Sequence, residues 1–124
     1  MTAPVRTCPL TRRLGATGTG PAVAHLTEAL SHLHTPGVLD GNPLLAAPHT
    51  ATAPALRAWL VDAVDALTAS PVAVDAEAGR ILRAYYVDRS GTHWQVARSL
   101  HISRATYFRR LRHGMVTLAA RHAG

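Results

Sequence analysis

Residues 92–120 read THWQVARSLHISRATYFRRLRHGMVTLAA, and this stretch decides how the chain is expected to fold. Thr92 and Ser103 are residue types that cap helix N-termini, and each precedes a run with helical spacing. Between the two runs, Leu100-His101-Ile102 predicts a tight break. The pattern therefore predicts a short helix, a turn and a longer helix, which is the spacing of a helix-turn-helix.

The side chains of this stretch also meet the packing demands of that motif. The small residue Ala97 falls where the two helices cross. The turn position that is usually a left-handed glycine is His101, and histidine is among the non-glycine residues enriched in that region. The apolar positions around the turn and along the second helix are Val96, Leu100, Ile102, Tyr107 and Leu111.

The rest of the chain predicts more helices and no sheet. Pro21 opens a helix over about 21–34, Thr52 caps a longer one, and Asp75 caps another that runs to about Arg89. No segment alternates with period two for long enough to predict a strand. The predicted fold class is all-α, a small helical bundle ending in a helix-turn-helix. Its expected parts are a disordered leader (1–20), an N-terminal helical part (21–74) and a helix-turn-helix unit (75–124).

Charge is concentrated at one end of the chain. The formal net charge is +6, and all thirteen cationic residues are Arg. Residues 1–75 carry four Arg and five acidic residues, a net −1, whereas residues 76–124 carry nine Arg and two acidic residues, a net +7. A basic excess confined to one end is typical of proteins that bind phosphate backbones, although a solvated basic face without a partner is also common.

Residues 76–122, from AEAGRILRAYY to LAARH, resemble the helix-turn-helix of sigma-factor region 4 and related bacterial transcription regulators. The resemblance implies that the helix over 76–89 packs behind the motif and that the polar segment 92–95 touches the DNA backbone. It also implies that the helix beginning at Ser103-Arg104 enters the major groove, with a recognition helix over about 103–113. The expected partner is double-stranded DNA, bound in a sequence-specific way to regulate transcription.

Helical geometry assigns roles to the second helix without that resemblance. If Tyr107 and Leu111 face the core, the opposite face is exposed and rich in Arg. Arg104 and Arg109 are the expected base readers, because guanidinium groups bind guanine O6 and N7 in pairs. Arg110 and Arg112 are expected on phosphates, and Ala105 on a thymine methyl group.

Phe108 has two readings, contact with a thymine methyl or sugar and ordinary packing against a neighbouring helix. The complete set of expected DNA contacts is Thr92, His93, Gln95, Ser103, Arg104, Ala105, Thr106, Phe108, Arg109, Arg110 and Arg112.

Other functional classes find little in the sequence. One cysteine excludes a Cys-based zinc site, and the eight histidines show no HxxxH or HExxH spacing. The sequence contains no recognisable set of a catalytic acid, base and nucleophile, so no enzyme is predicted, and no cofactor is expected. No apolar run is long enough to cross a membrane, and no apolar segment of a secretory signal follows the first Arg residues, so a cytoplasmic location is expected.

Two alternatives concern partners. The motif has the shape of modules that dock on RNA polymerase or another protein, which is the second hypothesis for its function. For assembly we expect a homodimer, because the stripes Leu26-Leu30-Leu33 and Met115-Val116-Leu118 offer apolar surface and regulators often double the motif with two-fold symmetry. The alternative is that both stripes bury within one chain.

Overall fold

The computed structural model describes residues 19–124, and its regular elements are all helices or helical turns. They are α1 (Thr19–Ser31), α2 (Pro36–Leu39), two 3₁₀ turns (Pro43–Ala46 and Pro48–Thr50), α3 (Ala53–Thr68), α4 (Ala73–Leu82), a π-helical turn (Arg83–Val87), α5 (His93–Ser99) and α6 (Arg104–Ala123). No strand occurs in residues 19–124. This confirms the predicted all-α class, a small helical bundle ending in a helix-turn-helix.

Helix α1 is displaced slightly towards the N-terminus relative to its predicted range. It includes Thr19 and Gly20, which the sequence pattern placed in the leader, and it ends at Ser31 rather than near residue 34. The rest of the predicted leader, residues 1–18, lies outside the described residues. Leu26 and Leu30 of α1 are buried in the main core, and Leu33 joins them from the turn that follows.

Residues 32–52 cross the bundle through α2 and the two 3₁₀ turns. Two buried polar side chains hold this connection in place. The Asn42 side chain accepts a hydrogen bond from the Leu44 backbone N–H at 2.8 Å and donates one to the His25 carbonyl at 3.0 Å. The Thr50 hydroxyl donates to the Leu44 carbonyl at 2.8 Å. The connection is therefore bonded to α1 and to itself, as buried polar groups require.

Helix α3 begins where it was predicted to begin, because the Thr52 hydroxyl accepts a hydrogen bond from the Ala55 N–H at 3.2 Å. Its buried face is formed by Ala53, Leu56, Leu60, Val64 and Leu67. Helix α4 approaches the end of α3 very closely at Gly79. A Cβ atom on Gly79 would lie 2.7 Å from the Cα atom of Thr68, so only glycine permits this approach.

The prediction that Asp75 caps α4 is wrong. Helix α4 begins at Ala73, and its N-cap is Val72, whose carbonyl accepts from the Ala76 N–H at 3.0 Å. Asp75 lies inside the first turn, and its carboxylate is 2.6 Å from Nε2 of His113 on α6. An acidic residue near a helix start is a typical cap, but the Asp75 carboxylate instead joins α4 to α6.

Helix α4 also ends earlier than predicted, at Leu82, and continues as the π-helical turn. The Asp88 N–H bonds to the Arg83 carbonyl at 2.8 Å, which widens the turn by one residue. Within this turn the neighbouring residues Tyr85 and Tyr86 have different partners. Tyr85 stacks on His93 of α5, whereas Tyr86 is buried in the main core.

The main core joins side chains of α1, α3, α4 and the C-terminal half of α6. It contains most of the two stripes from which a homodimer was predicted, since Leu26, Leu30, Leu33, Met115 and Leu118 are each at most 4% exposed, whereas Val116 is partly buried. These five side chains are covered by the same chain and offer no apolar surface to a second copy. No described helix is both long and apolar enough to cross a membrane.

Candidate nucleic-acid interface

Helices α5 and α6 form the predicted helix-turn-helix with both predicted caps. The Thr92 hydroxyl accepts from the Gln95 N–H at 3.2 Å, and the Gln95 side chain accepts from the Thr92 N–H at 2.8 Å. This reciprocal pair is a capping box, which satisfies two otherwise unpaired donors at the start of α5. Ser103 caps α6 by accepting from the Thr106 N–H at 3.2 Å.

The turn between the two helices is closed by backbone hydrogen bonds. The Ile102 N–H donates to the Ala97 carbonyl and the His101 N–H to the Arg98 carbonyl, both at 3.1 Å. These two bonds make a Schellman motif, in which the residue after the C-cap is left-handed. His101 is that residue, with φ of 58°, as predicted.

A small second core holds α5 and α6 together behind this turn. It consists of Ile81 from α4, Val96 and Ala97 from α5, and Tyr107 from α6, all at most 2% exposed. The predicted packing roles of Ala97 and Tyr107 are confirmed. Tyr85 and Leu111 contact both this core and the main core, so the motif is attached rigidly to the bundle.

The first half of α6 is exposed, apart from the buried Tyr107 and the partly buried Thr106, Arg110 and Leu111. Its exposed residues are Arg104, Ala105, Phe108, Arg109 and Arg112. Two of the guanidinium groups contact neighbouring side chains on the same helix. Arg109 donates to the Thr106 hydroxyl at 3.3 Å, and the Arg104 Cζ atom lies 6.0 Å from the ring centre of Phe108.

The electrostatics of this region are uniformly positive. From Arg89 to Gly124 the chain contains seven Arg residues and no Asp or Glu. The only carboxylate within 4 Å of a described Arg in this segment is that of Glu77, which pairs with Arg110. The exposed Arg residues of α6 are therefore free to bind an external anion.

Arg110 was expected to contact a phosphate, but its side chain points towards α4. Its Nε atom lies 2.9 Å from a carboxylate oxygen of Glu77 on α4, and both side chains are about a quarter exposed. Together with the contact between His113 and Asp75, this pair joins α4 to α6 along one side. Arg110 therefore orients the helix instead of lining its exposed face.

His93 is also drawn into the structure of the motif. Its ring stacks on that of Tyr85, with centres 3.7 Å apart, and its Nδ1 atom is 2.7 Å from the Tyr107 hydroxyl. Burial lowers the pKa of His93, and burial together with Tyr85 and Tyr86 raises the pKa of Tyr107. At neutral pH the imidazole is therefore neutral, and His93 adds no charge to this surface.

Two residues at this surface were missed by sequence reasoning. Trp94 is 59% exposed, and the Arg98 guanidinium lies 5.9 Å from its ring centre. The signal was present, because Trp94 falls outside the apolar stripe of Val96, Ala97 and Leu100. A large aromatic side chain that a helix does not bury is a candidate for binding.

Metal chemistry finds no support in the described part of the chain. Among residues 19–124 no group of three or more His, Cys, Asp or Glu side chains is arranged to hold a metal ion. The aromatic and Arg residues at the helix-turn-helix are suited to bind anions and planar rings instead.

Comparison with known proteins adds one finding. Residues 69–119 match the family model described as "Protein of unknown function (DUF1492)", a segment that spans α4, the π-helical turn, α5 and most of α6. No curated protein and no solved structure matches the chain. The match covers the helix-turn-helix and the helix behind it, and it leaves out α1, α2 and α3. A functional assignment therefore has to come from the geometry of the site.

Proposed function

We propose that this protein binds double-stranded DNA in a sequence-specific way, with the N-terminal half of α6 in the major groove, and thereby regulates transcription. The observation that carries the proposal is the exposed face of α6. Arg104, Arg109 and Arg112 are all exposed on the projecting half of a helix that a capped helix-turn-helix holds in place, and no acidic residue follows Asp88. Such a helix has the width and the charge that the major groove accepts.

Position along α6 suggests different tasks for its Arg residues. Arg104 is at the N-terminus of the helix, the part that approaches base edges most closely in this motif, and Arg109 follows one and a half turns later. Both are suited to guanine. Arg112 lies farther along, and with Arg98 on α5 it is suited to phosphates. Arg110 is assigned instead to the orientation of α6 through Glu77.

The link to transcription rests on the resemblance of residues 76–122 to sigma-factor region 4 and related regulators. In this interpretation α4 supports the motif, and the recognition helix spans about 103–113. The fixed attachment of α6 to α4 favours this interpretation, because a recognition helix has to be held at one angle to the groove.

A second candidate function is docking on RNA polymerase or another protein. The exposed rings of Trp94 and Phe108 favour it, since aromatic and Arg side chains are enriched in protein interfaces. The two functions predict different responses to salt. Release of counterions from DNA lowers affinity steeply as salt rises, with a logarithmic slope of about −0.9 for each phosphate contact.

The test is a binding titration on two duplexes, a random sequence and a site selected from a random pool, at several salt concentrations. Arg104→Ala should weaken binding to the selected site by about 1–3 kcal/mol and binding to random duplex much less. Arg112→Ala should weaken both alike and reduce the salt slope by about one. Arg121→Ala is the matched control, because it removes an exposed Arg from the same helix about 25 Å from Arg104.

Each outcome has a clear meaning. Equal losses on both duplexes would move Arg104 from base to phosphate contact. Losses as large for Arg121→Ala would mean that net charge alone drives binding. Failure of the unaltered protein to bind any duplex at low salt would overturn the proposal and favour protein docking.

A further inference from the structure

A cleft opens between the π-helical turn, α5 and α6, next to the exposed face of α6. Its volume is about 380 Å³, at the lower end of the range for sites that bind small molecules. Five aromatic rings and one cation contribute to its walls. They are Tyr85, His93, Trp94, Tyr107, Phe108 and Arg104.

The rings of this cleft differ in how firmly they are held. His93 is fixed between its stacking contact with Tyr85 and its hydrogen bond to Tyr107, which makes a rigid floor. Trp94 and Phe108 are 59% and 41% exposed, and each has a guanidinium group about 6 Å from its ring centre. The cleft thus has a fixed base and two accessible aromatic side chains flanked by positive charge.

This chemistry is suited to a planar ring that carries a nearby negative charge. Aromatic side chains stack on the faces of nucleobases, and neighbouring Arg residues bind the phosphates that follow them along a strand. A wall with no carboxylate excludes repulsion of those phosphates. An ordinary duplex offers no free base face to such a cleft, because each base is stacked between its neighbours.

We infer that the cleft receives one unstacked base of the DNA bound on α6, so that the protein prefers DNA with an unpaired base at this point over a fully paired duplex. The inference rests on the proposed function, since Arg104 and Phe108 belong both to the cleft and to the exposed face of α6. Capture of a base that is already unpaired avoids the cost of unstacking it. The expected preference is about five- to hundredfold, the range for one base–aromatic stack.

The experiment compares three DNAs of one length and sequence, namely a fully paired duplex, a set with one unpaired 2-aminopurine moved along the site, and the single strand. Affinity is measured by fluorescence anisotropy and stacking by quenching of 2-aminopurine. One position of the unpaired base should bind at least fivefold more tightly than the paired duplex and be quenched. The affinity ratio is the affinity for the DNA with the unpaired base divided by the affinity for the paired duplex. Trp94→Ala should reduce this ratio to one, and Trp94→Phe should retain most of it.

Val72→Ala is the matched control, because Val72 is a similarly exposed apolar residue at the start of α4, outside the cleft. It should leave the ratio unchanged. Circular dichroism of each variant checks that the helices are retained.

The outcomes separate the two proposals. Binding to paired duplex with a ratio of one at every position would overturn the cleft and leave DNA binding intact, whereas no binding to any of the three DNAs would overturn both. An affinity ratio that persists in Trp94→Ala would show that the cleft does not bind the unpaired base. Equal quenching of free 2-aminopurine nucleoside monophosphate would assign the cleft to a soluble nucleotide instead of DNA.

Discussion

The two halves of α6 have opposite surroundings, although they belong to one uninterrupted helix. In the half from Arg104 to Arg112 only Tyr107 is buried, and most of the surface faces solvent. In the half from Gly114 to His122 the buried residues are Gly114, Met115, Leu118, Ala119 and His122. The second half is an anchor in the main core, and the first half projects from it. A helix clamped at one end presents its other end at a fixed angle without needing to bury it.

Close packing explains how the anchor is made. A Cβ atom on Gly114 would lie 2.8 Å from Leu82 Cδ1 and 3.3 Å from the Ala78 Cβ. The backbone of α6 therefore packs directly against side chains of α4. The Thr27 hydroxyl on α1 lies 3.6 Å from the Met115 sulfur on the other side. No such contact restrains the exposed Arg residues of the first half. Stability and binding should therefore respond to different parts of this helix.

The largest effect should come from breaking the anchor. Leu118→Ala removes a side chain that is 0% exposed and should lower the free energy of unfolding by about 2–5 kcal/mol, because a cavity is left in the core. Arg112→Ala, in the exposed half, should change it by less than about 0.5 kcal/mol. Urea unfolding followed by circular dichroism measures both. Similar losses for the two variants would contradict the division of α6 into anchor and projecting half.

The small second core should be the next most sensitive region. Ala97→Leu adds bulk where α5 crosses α6 and should cost about 1–3 kcal/mol of stability from overpacking. It should also weaken DNA binding, because the first half of α6 is displaced while its Arg residues remain. Ala66→Leu on the exposed side of α3 is the control and should alter neither property. Unchanged melting and binding in Ala97→Leu would mean that the helices do not cross there.

Acid should destabilise the packing at both ends of α6, since the partly buried His93 of α5 contacts one end and the buried His122 lies at the other. Burial lowers the pKa of His93, and burial together with His49 lowers the pKa of His122. The ordinary pKa of histidine is about 6.5, and below this pH the unfolded chain binds protons that the folded chain does not. The free energy of unfolding therefore has its full value above pH 6.5 and falls as the pH drops. Each group contributes a slope of up to about 1.4 kcal/mol per pH unit.

Thermal unfolding between pH 7.5 and 5 measures this dependence. His122→Gln keeps a donor near Thr50, which lies 2.8 Å from Nε2 of His122, and should flatten the curve. His93→Asn keeps a hydrogen-bonding side chain near the Tyr107 hydroxyl and should flatten the curve through the other site. Stability that rises on acidification would be the opposite of the expected sign.

The smallest effect should come from the turn that connects the motif helices. His101→Gly should be neutral or should stabilise the fold by up to about 1 kcal/mol, because glycine carries no penalty at a φ of 58°. His101→Val should destabilise it, since β-branched residues are strained in that region. Melting temperatures of the two variants provide the comparison. A clear loss in His101→Gly would show that the histidine side chain is itself needed.

Local chemistry accounts for what could be predicted at the candidate site. Thr92, Ser103 and His101 act through neighbours in the sequence, as caps and as a left-handed turn residue, so the pattern was enough to place α5 and the start of α6. Helical periodicity likewise separated Tyr107 from the exposed Arg109 and Arg112. Asp75 shows the limit of this reasoning, because a residue that looked like a cap instead contacts His113, 38 positions away.

The amino-acid order was enough to predict the all-α class, the helix-turn-helix and the one-sided charge, since each depends on interactions within about one helical turn or on where charges fall along the chain. The pairing of Arg110 with Glu77, the stacking of His93 on Tyr85 and the burial of the leucines of α1 with Met115 and Leu118 in one core became visible in the three-dimensional structure. These outcomes depend on which helix faces lie together in space. A periodic pattern specifies the face that is buried, but it does not specify the partner that buries it.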